Sequence, residues 1–201
     1  IYRFDRFNQT LTLVDDAISV ADGQVLAVAW SPDGRYIAAG GDDVNNGLEL
    51  KLYSFDSNTQ TVELLDNQLA SVEVKALAWS PSGKYLAVGI EGFLSKKELR
   101  LYSIDFFTQT LQLKNEINQE LLAAAIDWSP DGNYVVVGVP QRIRLYSFDS
   151  NNEVLQQEDE ISLVFGGTGR AVNWSPDGNY VAVGLGTPLL GNVLRIYRFD
   201  R

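Results

Sequence analysis

One phrase, Trp-Ser-Pro-Xaa-Gly-Xaa-Tyr, occurs four times in 201 residues, at Trp30–Tyr36, Trp79–Tyr85, Trp128–Tyr134 and Trp174–Tyr180. The four tryptophans stand 49, 49 and 46 residues apart and are the only ones in the chain. Self-similarity at this period marks a repeated supersecondary unit that buries its faces against its neighbours. The repeat, more than the length, therefore decides for one domain over residues 1–201.

Ser-Pro-Asp-Gly carries the residues of a type I turn in their favoured order, with Ser first, Pro presetting φ second and Gly last. Apolar runs flank each turn, as in Val25–Trp30 and Tyr36–Gly40, or Val74–Trp79 and Tyr85–Gly89. Two short β-prone runs joined by turn chemistry predict a β-hairpin. Both arms are apolar on both faces and rich in small residues, which fits strands buried where sheets converge on an axis.

A second phrase follows each hairpin: Leu52–Asp56, Leu101–Asp105, Leu145–Asp149 and Ile196–Asp200, each with Tyr at its second position. Leu48, Leu50 and Leu52 alternate with Glu49 and Lys51, and Arg100, Arg144 and Arg195 repeat the polar place before the tyrosine. Period two with one polar face predicts a half-exposed third strand. Apolar positions return nine and eleven residues past the tyrosine, at Val62 and Leu64 and at Leu111 and Leu113, and Leu155 with Gln157 holds these places in the third unit. These mark a fourth, outer strand, so each unit is four antiparallel strands.

These residues resemble a WD40-type β-propeller, in the strand ending Trp-Ser-Pro-Asp-Gly, the strand Tyr-Leu-Ala-Val-Gly and the strand ending Leu-Tyr-Ser-Phe-Asp. The resemblance covers the whole chain, and propellers with TolB-like repeats would share the architecture. It implies an all-β propeller of four-stranded antiparallel blades, with units of about 15–65, 66–114, 115–160 and 161–201 plus 1–14. The chain departs from the family in having no histidine, so the His-containing network of such blades is missing. Tyr53, Tyr102, Tyr146 and Tyr197 stand where the family has Trp.

Apolar residues make up 45% of the chain, and no run reaches the roughly 18 apolar residues of a membrane-spanning helix. A net charge of −10 argues against nucleic acid or an anionic membrane as partner. With no Cys, His or Met, thiolate nucleophiles, Cys-based metal sites and the commonest general base are absent. No enzymatic activity, cofactor, catalytic residue or metal ligand is expected. The turn aspartates are read as turn formers, the more so because Ser82 replaces one of them. Asp42–Gly47 is the loop most like a Ca²⁺ ligand set and is read as solvated, Gly166–Gly169 lacks the Lys and helix of a phosphate loop, and the repeated tyrosines are read as packing between blades.

The units differ most after their second strands, at 41–47, 90–97, 139–142 and 185–192. All four loops should leave one face of the disc, and varied loops on a rigid frame are where specificity resides. Phe93, Leu94, Arg142, Pro188, Leu189 and Leu190 are the partner-binding residues this reading selects. The function expected is a protein- or peptide-binding scaffold, or a self-assembling one. A carbohydrate-binding, lectin-like propeller is the alternative.

The N-terminal Ile1–Arg6 matches a third strand, and Thr10–Val14 a fourth, whereas the last unit stops after its third strand. Residues 1–6 and 196–201 are the same hexapeptide, Ile-Tyr-Arg-Phe-Asp-Arg. Three assemblies fit this arrangement: a four-bladed ring closed by the N-terminal strand, a homodimer completing an eight-bladed ring, or a slice of a longer array.

Overall fold

The computed structural model describes the chain except residues 16–22, 44–47, 70–72, 92–98, 119–122, 164–167, 188–190 and 201. Its regular elements are all β-strands. The first blade is β3 (Gly23–Trp30), β4 (Tyr36–Asp43), β5 (Leu48–Asp56) and β6 (Thr61–Leu69). The second is β7 (Glu73–Trp79), β8 (Tyr85–Glu91), β9 (Leu99–Asp105) and β10 (Thr110–Ile117). The third is β11 (Ala125–Trp128), β12 (Tyr134–Val139), β13 (Arg142–Asp149) and β14 (Val154–Ser162). The last has three strands, β15 (Thr168–Trp174), β16 (Tyr180–Thr187) and β17 (Gly191–Arg198), and a two-stranded sheet of β1 (Tyr2–Asp5) and β2 (Thr10–Leu13) precedes the first. Every pairing is antiparallel between strands consecutive in sequence, giving a four-blade β-propeller.

The repeated turn closes each inner hairpin by one arrangement. Gly34 N–H donates to the Ser31 carbonyl at 2.9 Å, and the Ser31 hydroxyl accepts from Tyr36 N–H at 2.9 Å while donating to Asp33. Gly34, Gly83, Gly132 and Gly178 all sit at φ between 70° and 73°, which only glycine adopts freely. Ser82 preserves the scheme in the second blade, because its hydroxyl lies 2.9 Å from that of Ser80. The Asp is thus an acceptor inside its own turn, as the turn-former reading expects.

Blades stack in sequence. β7 packs against β3 and β4, β11 against β7 and β8, and β15 against β11 and β12. The core is accordingly three apolar clusters, one in each gap. Trp79 Nε1 donates to the Ala29 carbonyl and Trp128 Nε1 to the Ala78 carbonyl, both at 3.1 Å, so these two indoles tie the second and third blades each to the one before. Close approach explains the glycine that ends Tyr-Val-Val-Val-Gly: a Cβ on Gly138 would lie 2.4 Å from the Gly169 carbonyl oxygen of the next blade.

The third strands of the first three blades bury side chains of both faces, which corrects the half-exposed expectation there. Lys51, Arg100 and Arg144 are all buried. Neighbouring blades cover these strands, and the stems of Arg100 and Arg144 pack while the charged head turns to an outer-strand carboxylate. Arg100 Nε meets Glu116 and Arg144 Nε meets Glu160, each at 2.7 Å. The tyrosines behave as packing residues, with Tyr102 and Tyr146 buried.

The ends differ from the middle. β2 pairs with β1, in the register Tyr2↔Leu13 and Phe4↔Leu11, and not with β17. Among the described residues no strand of the last blade packs on β3 as β11 packs on β7. Val28 is 67% exposed, whereas Ile126 and Val172 at the same place are buried. Leu194 and Ile196 are 71% and 68% exposed, whereas Leu50, Leu52, Leu99 and Leu101 are fully buried.

If the indole bond holds blades together, Trp128→Phe should cost about 1–3 kcal/mol in urea unfolding, because it leaves the Ala78 carbonyl without its donor. Trp30→Phe, at the uncovered first blade, should cost far less. Equal losses in both would contradict this packing.

Candidate functional site

Each blade sends its second-to-third-strand connection and its exit to the next blade from one face, and its two tight turns from the other. The turn face is uniform. At its outer turns Asp5, Asp56, Asp105 and Asp149 accept backbone N–H groups two residues on, at 2.7–2.9 Å. These Asx turns hold the carboxyls below their ordinary range: Asp56 through the N–H of Asn58 and then Thr59, and Asp105 through that of Thr108 and then Phe107. At the inner turn the Ser175 hydroxyl, with Asn179, brings Asp177 down to about 2.

On the opposite, loop-bearing face, Phe93, Leu94, Pro188, Leu189 and Leu190 lie outside the described residues, so only Arg142 of the sequence-selected set is placed. β12 and β13 join through Pro140 and Gln141, the latter at φ 64°. Arg142 opens β13 with its side chain 45% exposed, and its Nη1 lies 2.7 Å from Glu160 Oε1. Glu160 also holds Arg144, and it is Arg144 foremost that lowers its carboxyl pKa. The result is a fixed, half-exposed guanidinium at the rim of the third blade. On the second blade Lys75 sits between Glu73 and Glu91, the latter at 3.2 Å. These clusters can orient charged groups of a partner. Among the described residues no group of three or more His, Cys, Asp or Glu gathers as a metal would need. Of the Asp42–Gly47 loop only Asp42 and Asp43 are described.

Reading the sequence missed a second repeated acceptor. Asp15 Oδ2 accepts Val62 N–H at 2.8 Å, Asp66 Oδ2 accepts Leu111 N–H at 2.7 Å, and Asn115 Oδ1 accepts Leu155 N–H at 3.1 Å. Each lies two residues past the second apolar position of an outer strand and fastens the outer strand of the next blade. The spacing was visible at Leu13 and Asp15, Leu64 and Asp66, and Leu113 and Asn115. Asp127 was also passed over: it accepts Trp174 N–H at 2.7 Å, and burial pushes its carboxyl pKa up.

Four blades of this repeat define a β-propeller of the WD40 type. The chain belongs to the family described as eukaryotic translation initiation factor eIF2A, whose model matches residues 6–146 and, in a second placement, 43–200. Comparison with curated protein sequences finds no match. Among solved structures, the chain is similar to a putative 6-phosphogluconolactonase from Bacteroides uniformis, at 20% identity and a TM-score of 0.68 over 99% of this chain and 64% of that one. It is similar to the Swd1 β-propeller domain of Myceliophteria thermophila, at 16% identity and 0.65 over 89% of this chain and 54% of that one. A chain of the mitotic checkpoint complex matches at 20% identity and 0.66, over 89% and 50%. The chain thus spans about half to two thirds of the length of these structures, and the likeness is one of fold.

Carboxylates held low by the fold favour it above about pH 4, and that contribution is lost as pH falls through their folded values. The unfolding midpoint should therefore drop as pH is lowered from about 4 towards the value near 2 of Asp177, and Asp105→Asn should reduce the drop. A midpoint unchanged over that range would contradict these turn bonds. Glu160→Gln should cost about 1–3 kcal/mol in urea unfolding, since it removes the carboxylate charge that meets Arg144 Nε and Arg142 Nη1; a neutral substitution would contradict the pairing.

Proposed function

We propose that this chain is a non-enzymatic protein-interaction scaffold that binds a protein or peptide on its loop-bearing face. The observation that carries the reading is the contrast between two faces of one frame. The turn side repeats the same hydrogen bonds blade after blade, while the connections at 41–47, 90–97, 139–142 and 185–192 differ in length and chemistry. A rigid array carrying unlike loops suits recognition. Phe93, Leu94, Leu189 and Leu190 of these connections, with Arg142, are among the residue types of interface anchors. The absence of His and Cys from the whole sequence also favours binding over catalysis. The name of one similar structure is that of a lactonase, and that of another a multiprotein complex. Membership of a family described by translation initiation makes proteins of that machinery the first partners to try.

A second reading, favoured by the uncovered faces of the first and last blades, is a homodimer that completes an eight-bladed ring. The superposition of most of this chain on 54% of a β-propeller domain supports a ring larger than four blades.

Photo-crosslinking residues at Phe93 and Leu189 should capture one saturable protein, and those at Arg35 and Asn179 on the turn face should not. Phe93→Ala and Leu189→Ala should each weaken its binding. Undiminished binding in both, or equal capture from both faces, would overturn the loop-face assignment.

A further inference from the structure

The last blade contains a shaped socket with no occupant in the chain, and we infer that it receives the outer strand β2 of a second copy. This rests on the homodimer reading and assigns the residues that would make the joint.

Within the chain, an outer strand is fastened to the preceding blade in a fixed way. Its first apolar side chain is buried in the gap, as Leu111 and Leu155 are. The backbone N–H of that same residue donates to a side-chain oxygen on the preceding blade, Asp66 for Leu111 and Asn115 for Leu155. The third blade carries the next member of this acceptor series, Asp159, two residues past Gln157. Its Oδ1 accepts Glu160 N–H at 2.8 Å, as Asp66 Oδ1 accepts Asn67 N–H. Asp159 Oδ2 is the atom that by analogy takes an outer-strand N–H, and among the described residues no strand pairs with the outer edge of β17.

Beside Asp159 is a cleft of about 80 Å³ between the third and last blades, with Leu145, Ile161, Trp174 and Tyr197 among its walls. Both Trp174 Nε1 and the Tyr197 hydroxyl are buried there without a hydrogen-bond partner. An apolar cleft, a poised carboxylate and the free edge of β17 together describe a receptor for an extended strand.

The matching strand is β2. Leu11 holds the place of Leu111 and Leu155, and it is 66% exposed. β1 and β2 pair in the register of the complete blades: Phe4↔Leu11 corresponds to Phe55↔Val62 and Ile104↔Leu111. In that register Leu11 N–H points away from β1, towards an acceptor such as Asp159. Asp15 shows where the hairpin belongs, since it already fastens β6 as the outer strand of a preceding blade does. The duplicated hexapeptide removes any mismatch at the third-strand place, which Ile1–Arg6 and Ile196–Arg201 can fill alike.

The faces to be joined are the two halves of an interface the chain forms three times internally. Leu194, Ile196 and Tyr180 on the last blade stand where Leu50, Leu52 and Tyr36 pack on the second blade, and Val28 and Trp30 stand where Leu77 and Trp79 answer them. Two copies related by a twofold axis present both halves to each other twice, which closes the assembly and leaves no free edge.

Light scattering of the full chain over a dilution series tests this. A mass rising to twice the 22.3 kDa of one chain is expected, with dissociation shifted by at least about tenfold in Asp159→Ala and in Leu11→Ala. Leu11→Pro, which removes both the leucine side chain and its outward N–H, should weaken the dimer at least as much as Leu11→Ala. A dimer indifferent to all three variants would overturn the socket and leave the homodimer reading standing. A monomer at every concentration would overturn both.

Discussion

The indole N–H of Trp79 and of Trp128 reaching the backbone carbonyl of the blade before it, each at 3.1 Å, goes with the blade spacing that the other contacts share. At that spacing a side chain on Gly138 would collide with the next blade. The third strands of the second and third blades bury both faces, including the stems of Arg100 and Arg144, and their charged ends turn to an outer-strand carboxylate. The tilt that brings the indole to its acceptor also brings the outer-strand N–H of Leu111 to Asp66 and that of Leu155 to Asn115. Inner and outer fastenings are two ends of one repeated joint.

A stack of this kind has stability in its joints more than in its sheets. No blade could cover its own faces, so each middle blade is buried by two neighbours while the terminal ones show apolar side chains to solvent. Edges of this sort are a hazard in any β structure, and propellers resolve them by closure. Here the two terminal blades expose side chains at the positions that the inner blades bury. Among the described residues, the repeated joints of Trp79, Trp128, Asp66 and Asn115 run through the strands and not through the loop-bearing connections.

Much of the frame was legible in the sequence because turn chemistry is local. Ser-Pro-Asp-Gly with Trp before and Tyr after specifies a hairpin without reference to the rest of the chain, and the four glycines at positive φ follow from it. The cations at 51, 100 and 144 were misread because period two cannot separate a strand facing water from one whose polar side chains are stems under a neighbouring sheet. Asp66 and Asn115 were missed because their partners lie 45 and 40 residues away, although their constant offset from the outer-strand leucines was present. Of the proposed partner-binding residues only Arg142 could be placed. Its clamp by Glu160 was not legible, because it depends on register across β13 and β14.

The most direct measurement is ¹⁹F NMR of the chain with 5-fluorotryptophan at its four positions, read for the solvent isotope shift of each ring. In the dilute chain Trp79, Trp128 and Trp174 should be shielded by the blade before them and Trp30 open to water. Raising the concentration should shield Trp30 alone. Trp30 as shielded as the others in the lone chain, or Trp79 and Trp128 as open as Trp30, would contradict a structure held together by this joint.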